Sequence, residues 1–309
     1  MRLEIHGIGR CALGADEPFV EGLGRLESVP IKDYAPPAAR RRFGRVARLM
    51  YVAAARALAD AGAEIDDRWA VVSATAMGEV QVGLDLLEQI QSRGGVNASP
   101  KLVPNAVHNA PAGHLTIGLE CRGPCLTVSQ GWLSFEAGLC AAADLVAAGA
   151  AERVLLVAGD EVDPRWEQRL SELDAGRLAG SLRDEAFQEG AAALVLGSEP
   201  GGRRLGGVTA ALRRVPAGGA QIARLVESVA GSALGEAELR ARHGAGGAAL
   251  AAELEEALGR AATLDGPGRG SSQAGALAAL ADHLERPQRG ELLLAGRELD
   301  ELGLVHYRS

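Results

Sequence analysis

The sequence predicts an α/β layered fold with a largely parallel sheet. Two observations carry that prediction. Short, strongly apolar runs alternate with longer amphipathic stretches along the 309 residues, the pattern of strands separated by helices. The best-marked junction is Gly123-Pro124-Cys125-Leu126-Thr127-Val128-Ser129-Gln130-Gly131-Trp132-Leu133-Ser134. It runs from a strand through a tight turn straight into an Ala-rich helix.

The elements follow in order. Residues 1–9 alternate as a strand ending at Gly7 and Gly9, and 43–62 form an amphipathic helix closed by Gly62. A buried strand at 69–74 leads through Met77-Gly78 to a helix over about 80–93. A Pro/Asn-rich loop over 99–111 precedes a short helix near 112–119, and the helix after the elbow reaches about Ala148. A strongly apolar strand at 153–159 ends at Asp160-Glu161. A polar excursion over 163–188 separates it from another buried strand at 189–197. The stretch 199–204 reads as a joint, dividing the chain into 1–199 and 200–309. The second part repeats the theme more faintly. It has a strand near 205–211, helices near 220–230, 248–262 and 272–284, and strands at 291–295 and 303–307. The two parts share no sequence repeat, so any duplication is architectural.

Composition narrows the function classes. A net charge of −8 argues against a nucleic-acid surface. The run Arg40-Arg41-Arg42, with Arg45 and Arg48, is the basic exception. It reads first as a solvated helix face and second as a docking patch for an acidic partner. No apolar run approaches the roughly 20 residues that a membrane helix needs. The N-terminus alternates like a strand and does not read as a signal peptide. Cys11, Cys121, Cys125 and Cys140 show neither metal spacing nor an accompanying His cluster. The expectation is a reduced, cytoplasmic protein with packed thiols, no metal and no cofactor.

A strand–turn–helix elbow presents its turn residue to solvent or a pocket, and enzymes place nucleophiles there. Here the turn residue is Trp132, which is no nucleophile. The frame of a catalytic elbow is present without its catalyst. A side chain that buries roughly 150–250 Å² is expected to fill that space as a plug.

The run Ser99-Pro100, Pro104-Asn105, Asn109-Ala110-Pro111-Ala112-Gly113-His114-Leu115-Thr116-Ile117, Gly123-Pro124 resembles the core of the β-ketoacyl-acyl-carrier-protein synthases. So do the elbow that follows, the strand at 151–159 and the run from Glu189-Gly190. The likeness is strong over 99–197, moderate over 1–95 and weak over 204–309. The resemblance implies a thiolase-like αβαβα five-layer sandwich of two similar halves, the second half shortened. The first half would be 1–199, with its elbow at 129–134, and the second 200–309.

The resemblance also implies a chemistry. An elbow thiolate takes an acyl group from a carrier protein, two imidazoles and a Lys assist decarboxylation, and backbone N–H groups hold the oxyanion. Aligned on Gly123-Pro124, the thiolate position is Trp132. His243, in Arg242-His243-Gly244, stands where the first imidazole would be. The second falls on Arg269 with no Lys before it, and the glycine-rich loop between the last two strands becomes the charged 296–300. Cys125 and Cys140 read as packed thiols, not as displaced nucleophiles.

These departures imply a non-condensing, chain-length-factor-like subunit. It would pair with an active ketosynthase in fatty-acid or polyketide-type biosynthesis. The alternative is a repurposed acyltransferase, hydrolase or cyclase acting on an acyl thioester without a Cys nucleophile. Its candidate groups are His243, Arg269 and Ser129; Arg269 could grip a carboxylate or phosphate. A plain scaffold is a third possibility. The candidate pocket lining is Gln130, Trp132, His108, Asn109, His243 and Arg269. A homodimer or heterodimer through the elbow strand is implied, with an acyl carrier protein as further partner. Nucleic acid and membrane are not expected. Asp160, Glu161 and His114 read as structural, and Ser134 as a residue satisfying free N–H groups at the helix start.

Overall fold

The computed structural model describes residues 1–12, 19–20, 24–165, 189–198, 205–214, 219–230, 238–241, 247–259, 261–264, 280, 283–284, 291–298 and 301–308. The first part contains β1 (Leu3–Ala12), β2 (Phe19–Val20), β3 (Arg25–Leu26), α1 (Pro37–Arg40), α2 (Arg45–Ala61), β4 (Trp69–Ala74), α3 (Val80–Arg93), α4 (Ala110–Gly118), β5 (Cys125–Val128), α5 (Ser134–Ala147), β6 (Arg153–Asp160) and β7 (Gly190–Gly197). The second contains β8 (Gly206–Arg214), α6 (Gly219–Ala230), β9 (Glu238–Ala241), α7 (Gly247–Leu258), β10 (Thr263–Leu264), β11 (Leu292–Glu298) and β12 (Glu301–Arg308).

Ten strands form one sheet in the order β10-β9-β11-β12-β8-β1-β7-β6-β4-β5. Leaving aside the small β2–β3 pair, the first part reads β1-β7-β6-β4-β5 outward from the centre, and the second β8-β12-β11-β9-β10. Each is the first, fifth, fourth, second and third strand of its part. The architecture is duplicated although the sequence is not. The parts meet through β1 and β8, paired antiparallel from Leu3↔Val208 to Ile5↔Gly206.

The expectation of a largely parallel sheet is corrected. β4 runs parallel to β5 and β6, and β9 to β10 and β11. β7 and β12 run antiparallel to both of their neighbours. Two residues separate β11 from β12, and so short a connection can join only antiparallel strands. Every residue of β4 and β7 is buried. Strands covered on both faces read as continuous apolar runs whichever way they point, so pattern alone did not give direction.

The layers follow from three clusters. On one outer face, Leu49, Val52 and Ala53 of α2 pack with Val71, Leu155 and Val195. On the other side of the same strands, Phe135, Leu139 and Ala142 of α5 join Val72, Leu156 and Leu194. That cluster continues into Val208, Leu280, Leu284, Leu292 and Tyr307 of the second part. On the far face, Ile222 and Val226 of α6 and Leu250 and Leu254 of α7 cover Leu239, Leu293 and Leu304. The two halves of the one sheet lie on either side of α5, so the succession is helix, half-sheet, helix, half-sheet, helix.

Gly7 and Gly9 lie inside β1 and do not end it. A Cβ at Gly9 would fall 2.2 Å from the Ala53 carbonyl oxygen, so the strand backbone touches the backbone of α2 directly. β9 and β10 were not foreseen, because four and two residues are too few to show a period. The helix expected to 262 stops at Leu258, and β10 follows only at Thr263. Of the helix expected over 272–284, residues 280, 283 and 284 are described, and they are helical. The joint at 199–204 lies outside the described residues.

Phe135 is 0% exposed in the cluster shared by both parts. Phe135→Ala is expected to destabilise the protein by about 3–5 kcal/mol, read as a lowered urea midpoint.

Candidate functional site

The elbow starts at the sheet's edge. β5 is the last strand and pairs only with β4, from Val71↔Cys125 to Ala74↔Val128. The chain then turns sharply. The Leu133 N–H donates to Gln130 O at 3.0 Å and the Ser134 N–H to Gly131 O at 3.3 Å. Gly131 sits at φ +50°, the left-handed region that glycine enters without strain. Ser129 and Gln130 are exposed, and Trp132 is half-buried. The indole is therefore not the enclosed plug that its size suggested.

Ser134 corrects a second expectation. Its hydroxyl serves the turn, not the free N–H groups of the helix. Oγ accepts the Gln130 N–H at 2.8 Å and lies 2.6 Å from Gly131 O and 3.2 Å from Thr75 O. As the first residue of α5, it points back toward the strand end.

Behind the turn, the ends of β4 and β6 are locked together. Asp160, buried, accepts the Thr75 hydroxyl at 2.6 Å and the Ala76 and Met77 N–H groups at 3.0 Å each. The Gly78 N–H returns to Thr75 Oγ1 at 2.9 Å. His108 stands over Gly78, its ring 3.4 Å from where a Cβ would be. His108 and Asn109 are both exposed, and Asn109 precedes α4 without a side-chain cap bond. His114 is bonded to Asn105 Oδ1 at 2.7 Å and lies 5.1 Å from the Phe43 ring. Burial and the nearby Arg42 charge lower its pKa.

A second polar group lies one residue further along. Glu189 pairs with Arg45 through Nε at 2.8 Å and through Nη2, and accepts the Leu26 N–H at 2.7 Å. Arg45 therefore leaves the basic run and belongs to the interior. Glu79 accepts the N–H groups of Val46 and Ala47, capping α2. Glu161 accepts the Gln81 N–H at 2.7 Å. Burial first, and the Glu79 charge second, push its pKa up to about 8. Sequence reasoning missed Glu79. A Glu after a glycine at the start of a helix carries no signal that it reaches across to another helix.

Cys125 also departs from expectation, because it is exposed on the edge strand. Burial raises the pKa of the Cys121 thiol, and partial desolvation does the same for Cys125 although that residue is exposed overall, which leaves neither a ready thiolate. His243 and Arg269 lie outside the described residues, as do 299 and 300 of the charged loop. Among the described residues, no group of three or more His, Cys, Asp or Glu could hold a metal ion, and no helix is long and apolar enough to cross a membrane.

A family model described as β-ketoacyl synthase, N-terminal domain, matches residues 25–183. The 3-oxoacyl-[acyl-carrier-protein] synthase 2 of Staphylococcus aureus (strain N315) is 26% identical over 207 residues, 64% of this chain and 50% of its own length. The chain spans about half the length of the curated relatives it matches. Among solved structures, the ishigamide ketosynthase/chain length factor is similar with a TM-score of 0.77 at 19% identity, over 100% of this chain and 99% of that one. A type II polyketide acyl-carrier protein in complex with its ketosynthase bound to the hexaketide also reaches 0.77, at 14% identity and over 100% and 99% of the two chains. These likenesses show the fold.

Ser134→Ala removes the hydroxyl that ties the turn to β4. A loss of about 1–3 kcal/mol is expected for the buried groups left unpaired, measured by urea denaturation.

Proposed function

The chain belongs to the β-ketoacyl synthase N-terminal domain family, and we propose from that premise that it is a non-condensing, chain-length-factor-like subunit. It pairs with a Cys-bearing ketosynthase in fatty-acid or polyketide-type biosynthesis, in the cytoplasm. One observation carries the reading. The elbow keeps its turn, its glycine and its polar supports, yet its tip is Trp132. An indole cannot form the acyl thioester on which condensation depends. The division at 199/200 into two ketosynthase-like halves is part of the same proposal.

The partner surface is argued from the edge strand. β5 ends the sheet, and α3 buries none of its residues. Around them are exposed apolar side chains: Leu126 at 40%, Ile117 at 70%, Leu87 at 55% and Val103 at 52%. A sheet edge flanked by apolar surface invites a covering partner. The fold neighbours include a ketosynthase with its chain length factor, which supports a ketosynthase in that place over a second copy of this chain. A carrier protein is the further partner. Arg41, Arg42 and Arg48 are exposed together at the start of α2 and suit an acidic surface.

Two outcomes test the reading. Incubated with malonyl- or acyl-carrier protein, the purified chain is expected to gain no acyl mass in intact-mass spectrometry. Covalent loading would overturn the proposal and favour an enzyme with a different nucleophile. Co-expressed with a Cys-bearing ketosynthase of the same source, the chain is expected to co-purify with it, and Ile117→Asp with Leu126→Asp is expected to abolish that association. Recovery as a homodimer alone would remove the ketosynthase partner. In the intact pair, Arg41→Glu with Arg42→Glu is expected to weaken carrier-protein binding about tenfold at low salt, with less effect as salt rises, measured by titration calorimetry.

A further inference from the structure

Three carboxylates lie buried around one guanidinium where β6 ends. Glu79, Glu161 and Glu189 are 4%, 0% and 1% exposed. Glu189 takes both arms of the Arg45 fork, so that pair is neutral. Glu79 faces two N–H groups at the start of α2, where the helix dipole favours an anion. Glu161 is served worst. Oε1 accepts the Gln81 N–H, while Oε2 is buried with no hydrogen-bond partner among the described residues.

The other charges nearby are already engaged or stand off. Arg25 donates to Val162 O and lies 3.5 Å from Gln81 Oε1. Arg48, exposed, acts on Glu79. Arg165 closes on Asp163, Asp85 and Glu88. Cys11 lies close enough to Arg45 to influence it. None of these cations pairs with Glu161; the charge of Arg45 reaches it and lowers its pKa, by less than burial and the Glu79 and Glu189 charges raise it. A buried carboxylate oxygen without a donor, beside two more carboxylates, costs far more ionised than protonated.

We propose that Glu161 carries a proton in the folded protein at neutral pH and serves as an alkali-sensitive latch on the loop between β4 and α3. Asp160 holds the start of that loop at Thr75, Ala76 and Met77, and Glu161 holds its end at Gln81. Two consecutive side chains thus staple both ends of the loop that supports the elbow. Loss of the proton places a further charge in the group, a cost that the Gln81 N–H bond, which favours the charged form, does not offset.

The sign follows from the folded value, about 8 against an ordinary 4.5. The folded chain keeps a proton that the unfolded chain releases. The contribution to stability is complete below 4.5, is lost as pH rises through the window to about 8, and is flat above it. Glu79 is raised in the same direction, so the test must isolate Glu161.

Urea denaturation at a series of pH values does so. One proton corresponds to about a tenfold fall in the folding constant per pH unit within the window. Glu161→Gln, which keeps an acceptor for Gln81 and cannot ionise, is expected to lose about that much of the slope. Infrared spectroscopy of the wild type against Glu161→Gln gives a second reading. A carboxylic-acid carbonyl band that the variant lacks is expected in the wild type at neutral pH, disappearing near pH 8. A variant with the full wild-type slope, or a wild type without that band, overturns the proposal.

Discussion

The arrangement rests on α5 being buried from two sides. It touches β4, β5 and β6 of the first part and β8 and β12 of the second. A helix between two sheet faces needs small and apolar residues nearly all round, and its Ala-rich sequence supplies them. Gly138 shows how tight the fit is, since a Cβ there would fall 2.9 Å from Leu156 Cδ1. The helix cannot slide or roll without opening the cluster shared by both parts. The turn that feeds it is fixed for the same reason.

That constraint explains how the elbow holds its shape with an indole at its tip. The position of Trp132 is set by α5 on one side and by Ser134, Thr75 and Asp160 on the other. None of these supports needs a thiolate. The frame does not depend on its tip: packing and backbone hydrogen bonds maintain it whatever side chain stands there. A subunit whose proposed task is to shape a partner's product can keep such a frame without a thiolate.

The parts legible in the sequence were those governed by local pattern. The apolar runs of β4, β6 and β7 announced themselves because both faces are covered. The elbow was legible because Gly131 and the helix after it are contiguous. What escaped were relations between distant residues. Arg45 read as part of a basic face, yet Glu189, 144 positions away, draws it inside. Ser134 read as a helix cap, yet the carbonyl of Thr75 and the turn itself claim its hydroxyl. Strand direction escaped as well, because burial on both faces erases the alternation that would reveal it.

Asp160 and Glu161 concentrate this lesson in one dipeptide. By sequence they are two equivalent acids after a strand. In the fold they turn opposite ways, as neighbours on a strand end must. Asp160 meets a hydroxyl and two backbone N–H groups, whereas Glu161 meets one N–H and the field of Glu79. The second environment resists charge. Both side chains hold the same loop, one at each end, although they are adjacent residues. A buried carboxylate tolerated under those terms is poor material for raw stability, since apolar residues of similar volume could do as well. Its value in this fold is positional: it sets where the loop from β4 to α3 leaves the sheet, and with it the floor on which the elbow stands.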